Sequence, residues 1–144
     1  GKVTLQSPAV ILGAGYVGME TADYLVSHGI EVTVLEMQLI TPVTKLSAHG
    51  YWLHKRIREG GGRLILGARV TGVENNKVRY IHRDDIEKEE EAALIVAAMG
   101  VQPANALESV LKELSIPYQI VGDAKSPRRI LEAIHEGYKT GLAI

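Results

Sequence analysis

Residues 9–18 read AVILGAGYVG, four apolar residues followed by a glycine-rich turn. The apolar run predicts a short buried strand. In the next stretch, Tyr16–His28, small and apolar side chains recur at the spacing of one helix face, and Gly29 is placed to end that helix. Glu31–Glu36 alternates and contains β-branched residues, which predicts a second strand. A strand, a helix and a strand within about 30 residues predict a βαβ unit with parallel strands.

The composition is that of one ordinary globular domain. The chain has 144 residues, of which 46% are hydrophobic and 23% are charged. The net charge of −1 argues against nucleic acid or an anionic membrane as the main partner. Cysteine is absent, which excludes disulfides, thiolate catalysis and iron–sulfur clusters held by this chain. No apolar run is long enough for a membrane helix, and we expect a cytoplasmic protein.

The middle of the chain predicts a helix, a strand and a small antiparallel insert. The helix is expected at Thr44–Glu59 and the strand at Arg63–Leu66. The core face of the helix would carry Leu46, Trp52, Leu53 and Ile57. Asn75-Asn76 is a two-residue turn suited to positive φ, and the charged segment Ile86–Glu91 follows it as an exposed edge. These features predict a three-stranded antiparallel meander.

The last third of the chain returns to strands and helices. Leu94–Ala98 predicts a buried strand, and Tyr118–Val121 predicts another. Asn105 and Glu108 have the spacing of a capping box, and Ser126-Pro127 fits the first two positions of a final helix. The expected core faces of these helices are Leu107, Val110, Leu111 and Leu114, and Ile130, Ile134, Gly137 and Gly141. We therefore expect an α/β fold, a Rossmann-like parallel sheet flanked by helices with a three-stranded antiparallel meander insert.

Gly13–Gly18 form a G-x-G-x-x-G pattern between the first strand and the first helix. Gly13 would make the tight turn, Gly15 would let a pyrophosphate approach the backbone, and Gly18 would let the helix pack closely on the strand. The free N–H groups at the helix N-terminus would face the phosphates. The other candidate contacts in this loop are Ala14, Tyr16 and Val17.

Glu36 lies 23 positions after Gly13, about where an acid binds a ribose 2′-hydroxyl. Its charge would repel the 2′-phosphate of NADP, and Met37, Gln38 and Leu39 supply no cation to receive that phosphate. The pattern thus favours NAD(H), with Met37 as a further candidate contact. Two alternatives remain: a folded domain that binds no ligand, and an S-adenosylmethionine methyltransferase, a fold in which a meander at this place is unusual.

Several segments of the chain carry a family resemblance. They are GAGYVGMETADYL followed by EVTVLE, LIVAAMGVQPAN, which includes Gly100, and IVGDA, which includes Asp123. They resemble the NAD-binding motif, the crossover motif and the late flavin motif of the pyridine-nucleotide flavoprotein oxidoreductases. The ending SPRRILEAIHEGYKTGLAI closely resembles the C-terminus of NADH:flavin oxidoreductases related to 2,4-dienoyl-CoA reductase and trimethylamine dehydrogenase.

This resemblance implies an enzyme that transfers hydride from NADH to flavin. Residues 1–100 would be the NAD-binding domain, and residues 101–144 the last segment of the FAD-binding domain, packed on the first. Glu20 matches a position near the nicotinamide, and its alternative role is that of a first-turn acid favoured by the helix dipole. Asp123 would contact the ribityl chain of FAD in the intact enzyme.

The resemblance also implies that the chain is a piece of a larger enzyme, since it has one glycine motif and no flavin-binding barrel. The missing flavin-binding and barrel domains would be its partners, and the fragment alone would not turn over. We assign no catalytic residue and no metal ligand. Without its native neighbours, Tyr118–Val121 is expected to dock beside Leu94–Ala98 as an extra parallel strand or to be exchanged within a homodimer.

Overall fold

Residues 3–100 contain two sheets, a parallel one and an antiparallel one, in a computed structural model that describes residues 3–143. The elements in chain order are β1 (Ala9–Leu12), α1 (Tyr16–Ser27), β2 (Val32–Glu36), α2 (Ala48–Glu59), β3 (Arg63–Leu66), β4 (Arg69–Glu74), β5 (Lys77–Ile81), β6 (Glu87–Glu91), β7 (Leu94–Ala97), α3 (Leu107–Glu113) and α4 (Ile130–Leu142). The four-stranded sheet has the order β3-β2-β1-β7, and the three-stranded sheet has the order β4-β5-β6. The predicted fold class is confirmed.

The position of β1 explains its run of four apolar residues. It pairs in parallel with β2 on one side and with β7 on the other, so that Ile11 lies opposite both Val34 and Val96. All four residues of β1 are buried, because both faces of the parallel sheet are covered. The carboxyl ends of β1, β2 and β7 therefore meet at one edge of the sheet, where Gly13 follows β1.

The two faces of the parallel sheet are covered by different structures. Ile11 and Val34 face the helices and pack in one buried cluster with Met19 and Leu25 of α1. Val10, Leu12 and Leu35 face the other way and pack in a second cluster with Val78 and Tyr80 of β5. This split follows from the two-residue period of strands. The antiparallel sheet therefore takes the place of a second helix layer.

The meander forms as the sequence predicts. Asn75 and Asn76 have φ of 50° and 58°, the left-handed values that a tight two-residue hairpin turn requires. The β4–β5 pairing places Glu74 opposite Lys77 across this turn. In β6 the exposed and half-buried residues alternate, as expected of an edge strand with one solvated face.

The start of α2 and part of its core face were predicted wrongly. The helix begins at Ala48 rather than Thr44, because the Ser47 side chain accepts a hydrogen bond from the Gly50 N–H at 3.1 Å and thereby caps it. Leu46 precedes the helix and is 98% exposed, and Trp52 is half exposed. Leu53 and Ile57 are buried as predicted.

The chain divides into two compact units, with Gly100 ending the first and Val101 beginning the second. In the second unit the predicted strand Tyr118–Val121 is wrong, since these residues form no strand. The parallel sheet is built of β1, β2, β3 and β7, so the predicted docking of this segment beside Leu94–Ala98 is also wrong. A strand depends on a neighbour for its hydrogen bonds, and four residues cannot supply one locally. Exchange within a dimer stays a prediction.

The predicted starts of both helices in the second unit are also wrong. Ala106, not Asn105, is the N-cap of α3, and the Asn105 side chain donates to the Glu108 carboxylate at 3.0 Å. α4 begins at Ile130 with Arg129 as N-cap, because residues 122–124 form a 3-10 turn first and Gly122 O accepts the N–H groups of residues 125 and 126. Neither helix has a buried residue, so their predicted apolar faces are not a core within residues 101–143.

A substitution at Gly50 tests the turn that begins α2. Alanine in place of glycine normally stabilises a helix by about 0.5–1 kcal/mol. A Cβ on Gly50 would lie 2.0 Å from the Thr44 carbonyl oxygen, whereas a Cβ on Gly137 in α4 meets nothing within 4 Å. We expect Gly50→Ala to lower the free energy of unfolding by about 1–3 kcal/mol and Gly137→Ala not to lower it. Urea unfolding followed by NMR reports on each unit separately, and equal effects of the two variants would contradict the packing described.

The stability of the second unit is expected to fall at acidic pH, because Glu136 becomes protonated there. The Arg128 guanidinium and the Gly122 N–H, which donates to Glu136 Oε2 at 2.9 Å, hold the pKa of this carboxyl below its ordinary value of 4.5. Because the pKa of Glu136 is lower in the folded state than in the unfolded state, its ionised form stabilises the fold at pH values above the ordinary pKa. This stabilisation is lost as the pH falls through the lower pKa of the folded state. An NMR titration of Glu136 should show a midpoint below 4.5, with amide protection in α4 falling over the same range. A midpoint at or above 4.5, or the same acid response in Glu136→Gln, would contradict this assignment.

Candidate nucleotide-binding site

The glycine loop begins with a turn that only glycine can make. Gly13 has φ of +103°, and a Cβ there would lie 2.4 Å from the Ala98 carbonyl oxygen. The Gly13 N–H donates to Leu35 O at 2.8 Å, so the turn is fixed between the ends of β2 and β7. The tight turn predicted for Gly13 is therefore present.

The other two glycines of the motif differ in what surrounds them. A Cβ on Gly18 would lie 2.0 Å from the Gly13 carbonyl oxygen and 3.4 Å from the Ala98 Cβ, so α1 packs directly on the loop. Gly15 is the N-cap of α1, with φ of −67° and ψ of 178°, and a Cβ there would meet nothing within 4 Å. Gly15 thus borders open space and has an unstrained backbone.

The side chain of Glu36 connects the end of β2 to the glycine loop. Its Oε2 accepts a hydrogen bond from the Ala14 N–H at 2.8 Å, and its Oε1 accepts one from the Gln38 N–H at 2.9 Å. The residue is only 5% exposed, and a buried carboxylate is tolerated when it is hydrogen-bonded in this way. Glu36 therefore fixes the loop even before any ligand binds.

The N-terminal part of α1 carries two candidate residues, Tyr16 and Glu20. Glu20 Oε1 lies 3.0 Å from His49 Nε2, and the His49 ring stacks on Tyr16 with ring centroids 5.7 Å apart. Glu20 lies in the second turn of α1, so the alternative role as a first-turn acid is wrong. The first turn of α1 contains no acidic residue. His49 was not singled out from the sequence, because only the fold brings α2 to α1.

The remaining candidates lie on different segments of the chain. Val17 and Met37 are largely exposed, and Gly100 has φ of +93° with open space around it. Asp123 belongs to the second unit, where it lies in the 3-10 turn and its Oδ1 accepts the Arg128 N–H at 3.3 Å. The structure thus brings together the glycine loop and Glu36, with Met37 directly after that strand end.

The fold brings a cation, Arg83, beside Gly67 and the segment that follows Glu36, which sequence reasoning missed. The Gly67 N–H donates to Gln38 O at 2.9 Å, and a Cβ on Gly67 would lie 2.9 Å from Arg83 Nε and 3.1 Å from a Leu39 methyl. Arg83 therefore lies beside the segment that follows Glu36, although it is 47 positions further along the chain. Met37, Gln38 and Leu39 supply no cation themselves, and Arg83 comes to this segment only through the fold.

Two other kinds of site are absent from residues 3–143. No helix there is both long and apolar enough to cross a membrane. Within the same range, no three His, Asp or Glu side chains come close enough together to hold a metal ion.

Removing the Glu36 carboxylate should destabilise the protein in the absence of any ligand. Glu36→Ala leaves the buried Ala14 N–H without an acceptor, which costs about 1–3 kcal/mol. Glu91→Ala, at an exposed acid of β6, is the matched control and should change the free energy of unfolding by less than about 0.5 kcal/mol. Equal unfolding free energies for the two variants in urea would show that Glu36 does not hold the loop.

Comparison with known proteins places the chain in a family. The family model for pyridine nucleotide-disulphide oxidoreductases matches residues 2–126. The NADH oxidase of Thermoanaerobacter brockii is 26% identical over 147 aligned residues, covering 100% of this chain and 23% of that protein. The epsilon subunit of NADH-dependent phenylglyoxylate dehydrogenase of Aromatoleum evansii is 31% identical over 110 residues, covering 72% of this chain and 25% of that subunit. The chain thus spans about a quarter of the length of these relatives.

Solved structures agree with this placement. The NAD-dependent persulfide reductase of A. fulgidus is 31% identical over 72% of this chain and 19% of its own, with a TM-score of 0.56. The 6-hydroxypseudooxynicotine amine oxidase of Pseudomonas geniculata shares the fold over 92% of this chain and 21% of its own, at 20% identity and a TM-score of 0.78. These matches do not favour the methyltransferase alternative. The family model covers most of the chain, and the chain therefore belongs to the pyridine nucleotide-disulphide oxidoreductase family.

Proposed function

We propose that the first unit binds NADH and, within a larger enzyme, holds it for hydride transfer to FAD. The observation that carries this proposal is the open space at Gly15, between a glycine loop that is already fixed and the N-terminus of α1. The names of two relatives, an NADH oxidase and an NADH-dependent dehydrogenase subunit, support the choice of cofactor. NADH would supply the hydride, and this chain would bind and orient it.

The pyrophosphate would lie at Gly15. The first-turn N–H groups of α1 have no partner inside the helix, and they point toward this space with the positive end of the helix dipole. No acidic side chain in that turn would repel a phosphate. Backbone N–H contacts would come from Tyr16 and Val17. Ala14, whose N–H donates to Glu36, would border the ligand, while Gly13 and Gly18 allow the close packing that fixes the loop.

The adenine ribose would lie at Glu36. Each carboxylate oxygen accepts one backbone N–H and keeps a second lone pair for a ribose hydroxyl. The same negative charge would disfavour the 2′-phosphate of NADPH. Met37 and Gly100 would border the ligand on either side, since they follow the ends of β2 and β7. Glu20 would lie toward the nicotinamide, held in place by its hydrogen bond to His49.

The second unit would be the last segment of an FAD-binding domain, with Asp123 near the ribityl chain. Large apolar side chains are exposed on both of its helices, which is typical of surfaces that contact another domain. They include Leu107 and Val110 of α3, and Ile130, Ile134 and Tyr138 of α4. The partners would be the flavin-binding and barrel domains of the intact enzyme. No residue of this chain would be catalytic, and the chain alone would not turn over.

The enzyme would be related to 2,4-dienoyl-CoA reductase and trimethylamine dehydrogenase. The match with the NADH oxidase extends over the whole chain, and the match with the bilirubin reductase of Mediterraneibacter gnavus covers 90% of it. The match with the dehydrogenase subunit covers 72%. The match with the NADH oxidase therefore includes the C-terminal segment, which carries the resemblance to this group.

Gly15→Ala separates ligand binding from folding. The backbone at Gly15 suits any residue and a Cβ meets no protein atom, so the free energy of unfolding should not fall. The methyl group would occupy the space assigned to the pyrophosphate. By calorimetry we expect the wild-type chain to bind NADH with a Kd of about 1 μM to 1 mM, and the variant to bind at least about tenfold more weakly.

Gly141→Ala, at another glycine with open surroundings, is the matched control and should bind NADH as the wild type does. NADPH should bind the wild type at least about tenfold more weakly than NADH. Unchanged NADH affinity in Gly15→Ala would contradict the pyrophosphate assignment. Equal affinity for NADPH and NADH would contradict the assignment of the ribose to Glu36. It would indicate instead that a cation such as Arg83 receives the 2′-phosphate.

A further inference from the structure

The first unit contains a cavity outside the glycine loop, between α2 and β3. Its volume is about 360 Å³, within the range of small-molecule sites, roughly 300–1,000 Å³. β3 is an edge strand of the parallel sheet, and the chain after it enters β4 of the antiparallel sheet on the opposite face. The cavity lies on the face of the parallel sheet that carries α2, opposite the antiparallel sheet.

The floor of the cavity is apolar. Leu64 and Leu66 are two residues apart on β3, so their side chains lie on the same face of the sheet. Both are half-buried, and they line the cavity together with the buried side chains of Ile57 and Met19. A floor of this kind suits the apolar body of a ligand.

The rim of the cavity is cationic. Lys45, Lys55 and Arg58 line it, and no acidic side chain does. Lys55 Nζ lies 4.0 Å from Glu59, but within the part of the chain that the structure describes, Lys45 and Arg58 have no carboxylate within ion-pair distance. Elsewhere in this unit, Arg56 pairs with Asp23 at 2.7 Å and Lys77 with Glu89 at 2.7 Å. Positive charge is thus left uncompensated where the cavity opens.

The cavity is separate from the proposed NADH site. Neither the glycine loop nor Glu36 lines it, and Met19 is its only lining residue on α1. It reaches from Gly62, before β3, to Leu66 at the end of that strand. A ligand there would leave Gly15 and Glu36 free.

We propose that this cavity binds a phosphate monoester with an apolar body. The apolar part would lie on Leu64 and Leu66, and the dianionic phosphate would lie between Lys45 and Arg58, with Lys55 beside them. Charge complementarity and the apolar floor together select this class over inorganic phosphate, which has no apolar part, and over a neutral aromatic compound, which has no charge. The assignment goes beyond the proposed function and does not depend on NADH binding.

The test is an amide NMR titration of the whole chain with phenyl phosphate, using phenol and inorganic phosphate as matched probes. We expect shifts around Lys45, Arg58 and Leu64, unchanged by saturating NADH, with a Kd on the order of 1 mM for so small a ligand. Phenol and inorganic phosphate should each bind at least about fivefold more weakly.

The double variant Lys45→Gln/Arg58→Gln removes two exposed cations and should weaken phenyl phosphate about tenfold while leaving phenol unaffected. Arg69→Gln/Lys139→Gln removes the same charge elsewhere on the surface and should change the affinity less than about twofold. Equal weakening by both variants, or equal binding of phenol and phenyl phosphate, would overturn the proposal. Shifts centred on residues 13–18 that NADH abolishes would also overturn it.

Discussion

The hydrogen bond from the Ala14 N–H to the buried Glu36 carboxylate is the interaction on which the candidate site depends. It joins the end of β2 to the loop that follows β1, and the Gly13 N–H makes a second link between the same two places. The loop must therefore stay where the strands end. A dinucleotide site needs backbone N–H groups in fixed positions, since ordering them at binding would cost conformational entropy. Glu36 supplies that order without a ligand, since its two oxygens accept the Ala14 and Gln38 N–H groups.

The apolar core supports this arrangement from both sides of the sheet. α1 and α2 cover one face, and the antiparallel sheet covers the other. The meander closes the second core on the face opposite α2. On the helix face, the cavity with the cationic rim lies between α2 and β3, which is an edge strand of the parallel sheet.

Local patterns in the sequence predicted most of the first unit. The tight turn at Gly13, the strand predicted at Glu31–Glu36 and the Asn75-Asn76 turn each depend on a few neighbouring residues, and all three are present, the strand as Val32–Glu36. All five residues of that strand are buried, so the alternation in its sequence does not mark an exposed face. Features that depend on distant residues were not found in this way. Arg83 and His49 reach the site only because the meander and α2 fold back to it, and no periodicity marks either residue.

In the second unit, too, features that depend on distant residues were predicted wrongly. Tyr118–Val121 has the apolar character of a strand, but a strand exists only with a hydrogen-bonded neighbour, and composition does not report whether one is present. The apolar residues predicted on α3 and α4 are present, but none of them is buried and they form no core within residues 101–143. The prediction that Leu46 lies on the core face of α2 was wrong for a local reason, because Ser47 caps the helix and Leu46 precedes it.

An NADH titration followed by amide chemical shifts would locate NADH on the chain. If the dinucleotide binds at the glycine loop, the shifts should be concentrated in the loop from Gly13 to Gly18, with the Ala14 N–H among the most affected, and further shifts should occur at Met37 and Gly100. Shifts that leave the Ala14 and Gly15 amides unchanged while other surfaces respond would contradict binding at this loop.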